Sequence, residues 1–196
     1  MKSTKCSNSD AATDFASGRD GEKLLLSYRA DASLSEEDDR QLRHLLFACF
    51  PYERAFLRRR FLKEQPAHRW IVCTEKGEFV AHAALHEKMI GTSAGELRIG
   101  GVAEICVSAE YRGRGLVKLL FHAMHDWMRE RKIDFSMLFG QPKIYASSGY
   151  ALIGNELRAD NALARHWNPF CGKPMVCRLS NAPWPSGMID LRGPTF

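Results

Sequence analysis

Three groups of side chains in this sequence could do chemistry. The first is Arg112-Gly113-Arg114-Gly115, set between an apolar run and an amphipathic one. Two glycines allow a ligand close approach to the backbone, and the unpaired N–H groups and dipole of a helix start favour an anion. With two arginines adding charge, the chemistry that suits this stretch is capture of a phosphate or pyrophosphate. The second is Glu104, a carboxylate inside the otherwise apolar run Val102–Ser108. Burial there would raise its pKa toward the range of a useful base; pairing with an arginine such as Arg98 is the alternative. The third is histidine, as His82 with His86 and His122 with His125. The first pair shares one face of a strand but lies about 13 Å apart along it, and the second lacks a third ligand, so packing or surface roles are favoured over a metal.

The elements that must position these groups follow from periodicity. Val102–Ser108 is short, β-branched and apolar, as expected of a strand buried on most of its surface. A helix is predicted from near Gly113, with Leu116, Leu119, Leu120, Ala123, Met124, Trp127 and Met128 on one face and Lys118, His122, His125, Asp126, Arg129 and Glu130 on the other. Ile133–Phe139 reads as a second buried strand, parallel to the first, as a strand–helix–strand unit of this length requires. A short helix with Pro142 in its first turn, closed by Gly149, then carries Tyr145 before Tyr150 opens a further strand.

Upstream, residues 1–21 carry Phe15 as their only large apolar group apart from Met1 and read as a disordered tail. Leu24–Tyr28 is a first strand, and Ser35-Glu36-Glu37-Asp38 is a short-acid capping box for a helix whose apolar face is Leu42, Leu45, Leu46 and Cys49. Residues 52–64 are expected to form a helix with Tyr52, Phe56, Leu57 and Phe61 on one side and Arg54, Arg58, Arg59, Arg60 and Lys63 around the rest. A solvated amphipathic helix is favoured there over a nucleic-acid or membrane face, because no module pattern accompanies the charge. A hairpin turns at Glu75–Glu78. Beyond Tyr150, residues 155–174 read as irregular or partly helical, Pro174–Ser180 as the last clear strand, and the proline-rich end as an extended segment. The expected organisation is a tail over 1–21, one domain over 22–180 and an ordered extension over 181–196.

The run Val107 to Leu120 resembles the coenzyme A pyrophosphate loop of the GCN5-related N-acetyltransferases (GNAT), R/Q-x-x-G-x-G/A after a central strand. Its first position falls on Glu110 or Tyr111, so this copy is better written Arg-Gly-Arg-Gly. Tyr145 through Tyr150 is similar to that family's Tyr-x-x-x-Gly-Phe segment. The resemblance implies an α/β (α+β) GNAT fold: a mixed central sheet flanked by helices, with a splayed strand pair that takes the coenzyme A. It implies an acetyl-CoA-dependent N-acetyltransferase in which Cys106, Val107, Arg112, Gly113, Arg114, Gly115 and Leu116 bind the cofactor, Tyr145 protonates the leaving thiolate and Glu104 serves as base. A phenol suits the acid role because its pKa near 10 exceeds that of a thiol. In the nearest pattern the acid stands where Ala103 is, and a shift of one residue along a strand reverses the face.

Two narrower resemblances concern the acceptor. Trp70 to Tyr150 looks like aminoglycoside 2'-N-acetyltransferases, and residues 184–194 look like the end of the rhizobial nodulation N-acyltransferases, which acylate a chitin-type amine with a fatty chain. Both imply an amine on a sugar, with Trp184 and Asp190 as contacts, and the second admits a longer acyl donor. A non-catalytic acyl-CoA-binding module is the rival.

Composition agrees with an ordinary globular chain: 196 residues, 45% hydrophobic and 26% charged, with a mild net charge of +5 that suits an anionic cofactor. No apolar run approaches a bilayer's thickness, and the N-terminus is not a signal pattern, so a cytoplasmic protein without membrane or nucleic-acid partners is expected, with a homodimer as an option. Six scattered cysteines point to reduced thiols rather than disulfides or a zinc site.

Overall fold

The computed structural model describes residues 13–16, 22–159 and 172–196. In chain order the strands and helices are β1 (Thr13–Ala16), β2 (Lys23–Ala30), α1 (Glu36–Cys49), β3 (His68–Thr74), β4 (Phe79–Thr92), β5 (Gly95–Val107), α2 (Leu116–Glu130), β6 (Phe135–Gly140), α3 (Pro142–Tyr145), β7 (Ala151–Leu152), β8 (Leu157–Arg158), β9 (Lys173–Arg178) and β10 (Ile189–Asp190). The architecture is mixed α/β with a mostly antiparallel sheet. By contact density the chain divides into two compact units.

The first unit takes the chain to Ala84 and then Glu104–Ala123. Here β1 pairs antiparallel with β2 and β2 with β3, from Leu24↔Thr74 to Ala30↔His68. α1 starts where the sequence says it should: Ser35 accepts from the Asp38 N–H at 3.1 Å and Asp38 accepts from the Ser35 N–H at 3.0 Å, a complete capping box. Its face of Leu42, Leu45 and Leu46 packs with Phe56, Ile71, Cys73, Phe79 and Cys106 as one apolar core.

The second unit comprises Leu85–Ala103 and the chain from Met124. β5 pairs parallel with β6 over Gly100↔Ser136 to Val102↔Leu138, where the register ends. β6 pairs antiparallel with β9, which also takes β7. Ile90, Ile99, Phe135, Met137, Val176, Ile189 and Leu191 form its core.

Several expectations are corrected. Thr13–Ala16, inside the anticipated tail, is a strand, because antiparallel pairing with β2 satisfies its backbone groups; residues 1–12 and 17–21 lie outside the described residues. The strand expected at Val102 is the end of a longer one from Gly95. α2 opens at Leu116 rather than near Gly113, since Gly113 and Gly115 are left-handed, φ +75° and +77°. Residues 52–64 are not a helix: only Arg54–Leu57 makes a 3-10 turn. The backbone of that segment is committed elsewhere: Leu57 O accepts from Arg43, Arg60 O from Arg69, and the Leu62 N–H donates to Glu104. Residues 157–158 and 189–190 are short parallel strands on one another, so the proline-rich end does add a regular element. Residues 160–171 lie outside the described residues.

Candidate active site

Glu104 sits near the C-terminal end of β5 with φ +53°, a left-handed residue that interrupts the strand as a β-bulge does. Its side chain is 8% exposed. One carboxylate oxygen accepts the Leu62 N–H at 2.7 Å and the other faces Arg69 Nη1 at 3.4 Å. Burial raises this carboxyl to about 7, against the opposing pull of Arg69 and the Leu62 N–H. The anticipated partner Arg98 is instead paired with Glu87.

Arg69, wholly buried on β3, is the hub. It donates to Asp31, to the Arg60 carbonyl at 2.9 Å and to His82 Nε2 at 3.0 Å. Since a guanidinium only donates, His82 Nε2 must accept, leaving Nδ1–H to donate to the Glu104 carbonyl at 3.0 Å. His82 is thereby fixed as a neutral imidazole, and burial with the adjacent Arg69 holds its pKa well below the usual histidine range. Asp31 accepts from Arg60 at 2.6 Å and from Gln65, and Arg60 reaches Asp39 at 2.9 Å. Burial of Asp31 is outweighed by these donors, and its pKa falls to about 2. Sequence reasoning missed this cluster. Its signal was the buried-strand position of Arg69, an arginine where an apolar side chain is expected.

At the end of β5 the Val107 carbonyl accepts from Arg112 Nε at 3.2 Å and from the Cys49 thiol at 3.5 Å. The Cys49 thiol falls to about 7 through the neighbouring Cys106 and Arg112, while burial pushes Cys106 well up. Arg112-Gly113-Arg114-Gly115 then curls into α2, with open space around both glycine Cα atoms. The Gly115 carbonyl accepts the first helical bond, from Leu119 at 3.1 Å, so the N–H groups of α2's first turn have no partner within the helix. Arg114 lies over the Tyr111 ring at 4.4 Å and faces Glu22 at 3.5 Å, so part of its charge is already engaged.

In the second unit Tyr145 closes α3. Its ring stands edge-on to Tyr150 at 6.4 Å, and burial raises its phenol. The hydroxyl of Tyr150 is bonded to Ser136 at 2.6 Å and His125 at 3.0 Å. His125, expected on the polar face of α2, is thus buried, drawn inward by a hydroxyl it can bond. Trp184 packs on Phe135 at 5.0 Å and donates to Asn155 at 2.8 Å. Asp190 pairs with Gly91 in the sheet and accepts the Arg192 N–H at 2.9 Å. A shallow depression of about 420 Å³ includes Asn155, Glu156, Ser186 and Met188 in its wall, but the Asn155 amide is spent on the Pro185 and Gly187 carbonyls.

Residues 32–153 match the family model described as an acetyltransferase (GNAT) domain. The chain belongs to the GNAT acetyltransferase family, and it is an acyltransferase. No curated protein matches by sequence. Among solved structures, a GNAT family N-acetyltransferase (YhbS) from Escherichia coli in complex with CoA superposes with a TM-score of 0.61 at 16% identity, over 86% of this chain and 90% of that one. A putative N-acetyltransferase from Lactobacillus plantarum gives 0.55 at 16%, over 80% and 99%. A GCN5-related N-acetyltransferase from Kribbella flavida gives 0.50 at 21%, over 66% of this chain but 33% of that longer one. At such identities the likeness is one of fold, and the GNAT fold expected from the glycine loop is the fold found. Among the described residues no cluster of three or more His, Cys, Asp and Glu side chains could hold a metal, and no helix is long and apolar enough to cross a membrane. Cys49, Cys73, Cys106 and Cys177 are free thiols.

Proposed function

We propose that this GNAT protein transfers an acyl group, acetyl in the simplest case, from coenzyme A to a primary amine of a small molecule. The observation that carries the reading is the Arg112–Leu116 turn: two left-handed glycines with nothing crowding them, leading into a fifteen-residue helix whose first N–H groups lack helical partners. That is a cradle for a diphosphate. Gly113, Arg114, Gly115 and Leu116 supply backbone N–H donors, Arg112 supplies charge, and Cys106 and Val107 supply strand backbone to the pantetheine arm.

Acyl transfer needs a neutral amine, and an ammonium must lose its proton first. Glu104, held to about 7, is matched to taking that proton near neutrality. The amine adds to the thioester carbonyl, and the tetrahedral intermediate collapses with cleavage of the C–S bond. The departing thiolate takes a proton from Tyr145, whose phenol burial keeps neutral, and the surplus N–H proton of the new amide passes to the resulting phenolate. An amino sugar is the acceptor we favour, on the resemblance to aminoglycoside 2'-N-acetyltransferases; a longer donor chain is the alternative suggested by the C-terminal segment, where Trp184 and Asp190 would contribute acceptor contacts. The cytoplasm is the compartment we propose, since the acyl donor and reduced thiols belong there.

Calorimetry of the full chain with acetyl-CoA, followed by thiol release with glucosamine and an aminoglycoside panel and with acetyl and long-chain donors, tests the reading. Saturable binding and amine-dependent thiol release are expected. Absence of acetyl-CoA binding would overturn it, and binding without thiol release for any amine would favour the non-catalytic module.

A further inference from the structure

The proposed base is not alone on its strand. Glu104 is faced by Arg69 from β3, by the Leu62 N–H, by His82 from β4 and, beyond Arg69, by Asp31, which Arg60 and Gln65 also hold. Cys106 lies along its own strand, with Cys49 next to that thiol. Among these, Arg69 joins Asp31, Arg60, His82 and Glu104. Arg69 reaches Asp31 through Nε, the Arg60 carbonyl through Nη2, and both His82 Nε2 and Glu104 Oε2 through Nη1. His82 in turn donates to the backbone carbonyl of Glu104 itself, at the residue with left-handed φ. The carboxylate and the bulge that aims it are therefore held from a single guanidinium, one directly and the other through an imidazole.

We propose that Arg69, acting with His82, is the positioning residue of the Glu104 base, fixing where the carboxylate points. This rests on the reading of Glu104 as base only for its consequence in catalysis; the arrangement itself can be measured without substrate. Arg69 is unsuited to act on a ligand, being wholly buried and engaged at every nitrogen. Its charge opposes the effect of burial on Glu104, so its loss moves the carboxyl further up. Loss of His82 does the reverse, because the freed Nη1–H turns to Glu104 Oε2, which that nitrogen already faces at 3.4 Å.

The experiment follows the carboxyl carbon of Glu104 by NMR in the full chain labelled with ¹³C-glutamate, the signal being identified by its loss in Glu104→Gln. In the native sequence it is expected to titrate at about pH 7. Arg69→Gln is expected to raise the midpoint by about one pH unit, His82→Leu to lower it, and His82→Gln, which can still accept and donate, to restore it. Should Arg69→Gln fail to fold, the two His82 variants leave the Asp31 ion pairs intact and decide the matter. A Glu104 midpoint unmoved in His82→Leu, or equal shifts in His82→Leu and His82→Gln, overturns the proposal. The base reading is judged separately, by thiol release from acetyl-CoA with glucosamine: an acid limb that persists in Glu104→Gln sinks the base and leaves the positioning result standing.

Discussion

At the scale of single residues, Glu104 carries the most information because its two environments oppose each other. A folded carboxyl raised from 4.5 to about 7 means the folded state binds the proton more tightly. Its contribution to stability is thus full below pH 4.5 and is lost as pH rises through 7. Glu104→Gln, which keeps an acceptor for the Leu62 N–H, should gain thermal stability relative to the native chain as pH goes from 5 to 8; calorimetric melting at the two pH values reads the gap. The same variant should lower kcat/KM by 10²-fold or more, on the order expected for a general base. The presence of a buried acid was legible in the sequence, since a carboxylate inside a short apolar strand is carried into the core by its neighbours. Its partner was not: Arg98 is six residues away along the strand and obvious, whereas Arg69 is brought in by pairing of strands far apart in sequence.

At the scale of elements, the glycine loop and the end of β6 make separable predictions. Gly115 has open space around its Cα, so Gly115→Ala meets no clash and should cost only the strain of a left-handed alanine, about 1 kcal/mol. Urea unfolding measures it, and calorimetry should show weaker acetyl-CoA binding in the same variant because the turn that presents the N–H groups relaxes. At Gly140 the outcome differs, for a Cβ there would overlap the ring of Tyr145. Gly140→Ala should therefore displace the phenol and reduce kcat while leaving acetyl-CoA affinity near that of the native chain; stopped-assay kinetics beside calorimetry separates the two. The capping box of α1 was readable from four consecutive residues because its bonds are local. Residues 52–64 were misread for the opposite reason: their amphipathic period is genuine, but Leu57, Arg60 and Leu62 give their backbone groups to side chains from other elements, and those bonds override the helix.

At the scale of the molecule, ionisation sets the limits of stability. Asp31 is depressed from 3.8 to about 2, so the stability it contributes is fully present above pH 3.8 and is lost as pH falls through 2. The shift corresponds to about 2 kcal/mol, and urea midpoints of the native chain and Asp31→Asn should converge on acidification from pH 5 to 2; a constant gap would contradict this. By itself the sequence determined the family, the glycine loop, the long amphipathic helix after it and the parallel strand beyond. Those features are encoded in residue type and spacing within a few tens of positions. Only the tertiary structure decided which arginine meets Glu104, that His82 is a neutral link to its backbone, that Asp31 is an anchored anion, and that His125 turns inward to Tyr150. Each of these is a contact between groups that burial of the surrounding apolar chain brings together, and a buried charge meets its partner by distance in the folded chain, a quantity that spacing along the sequence does not carry.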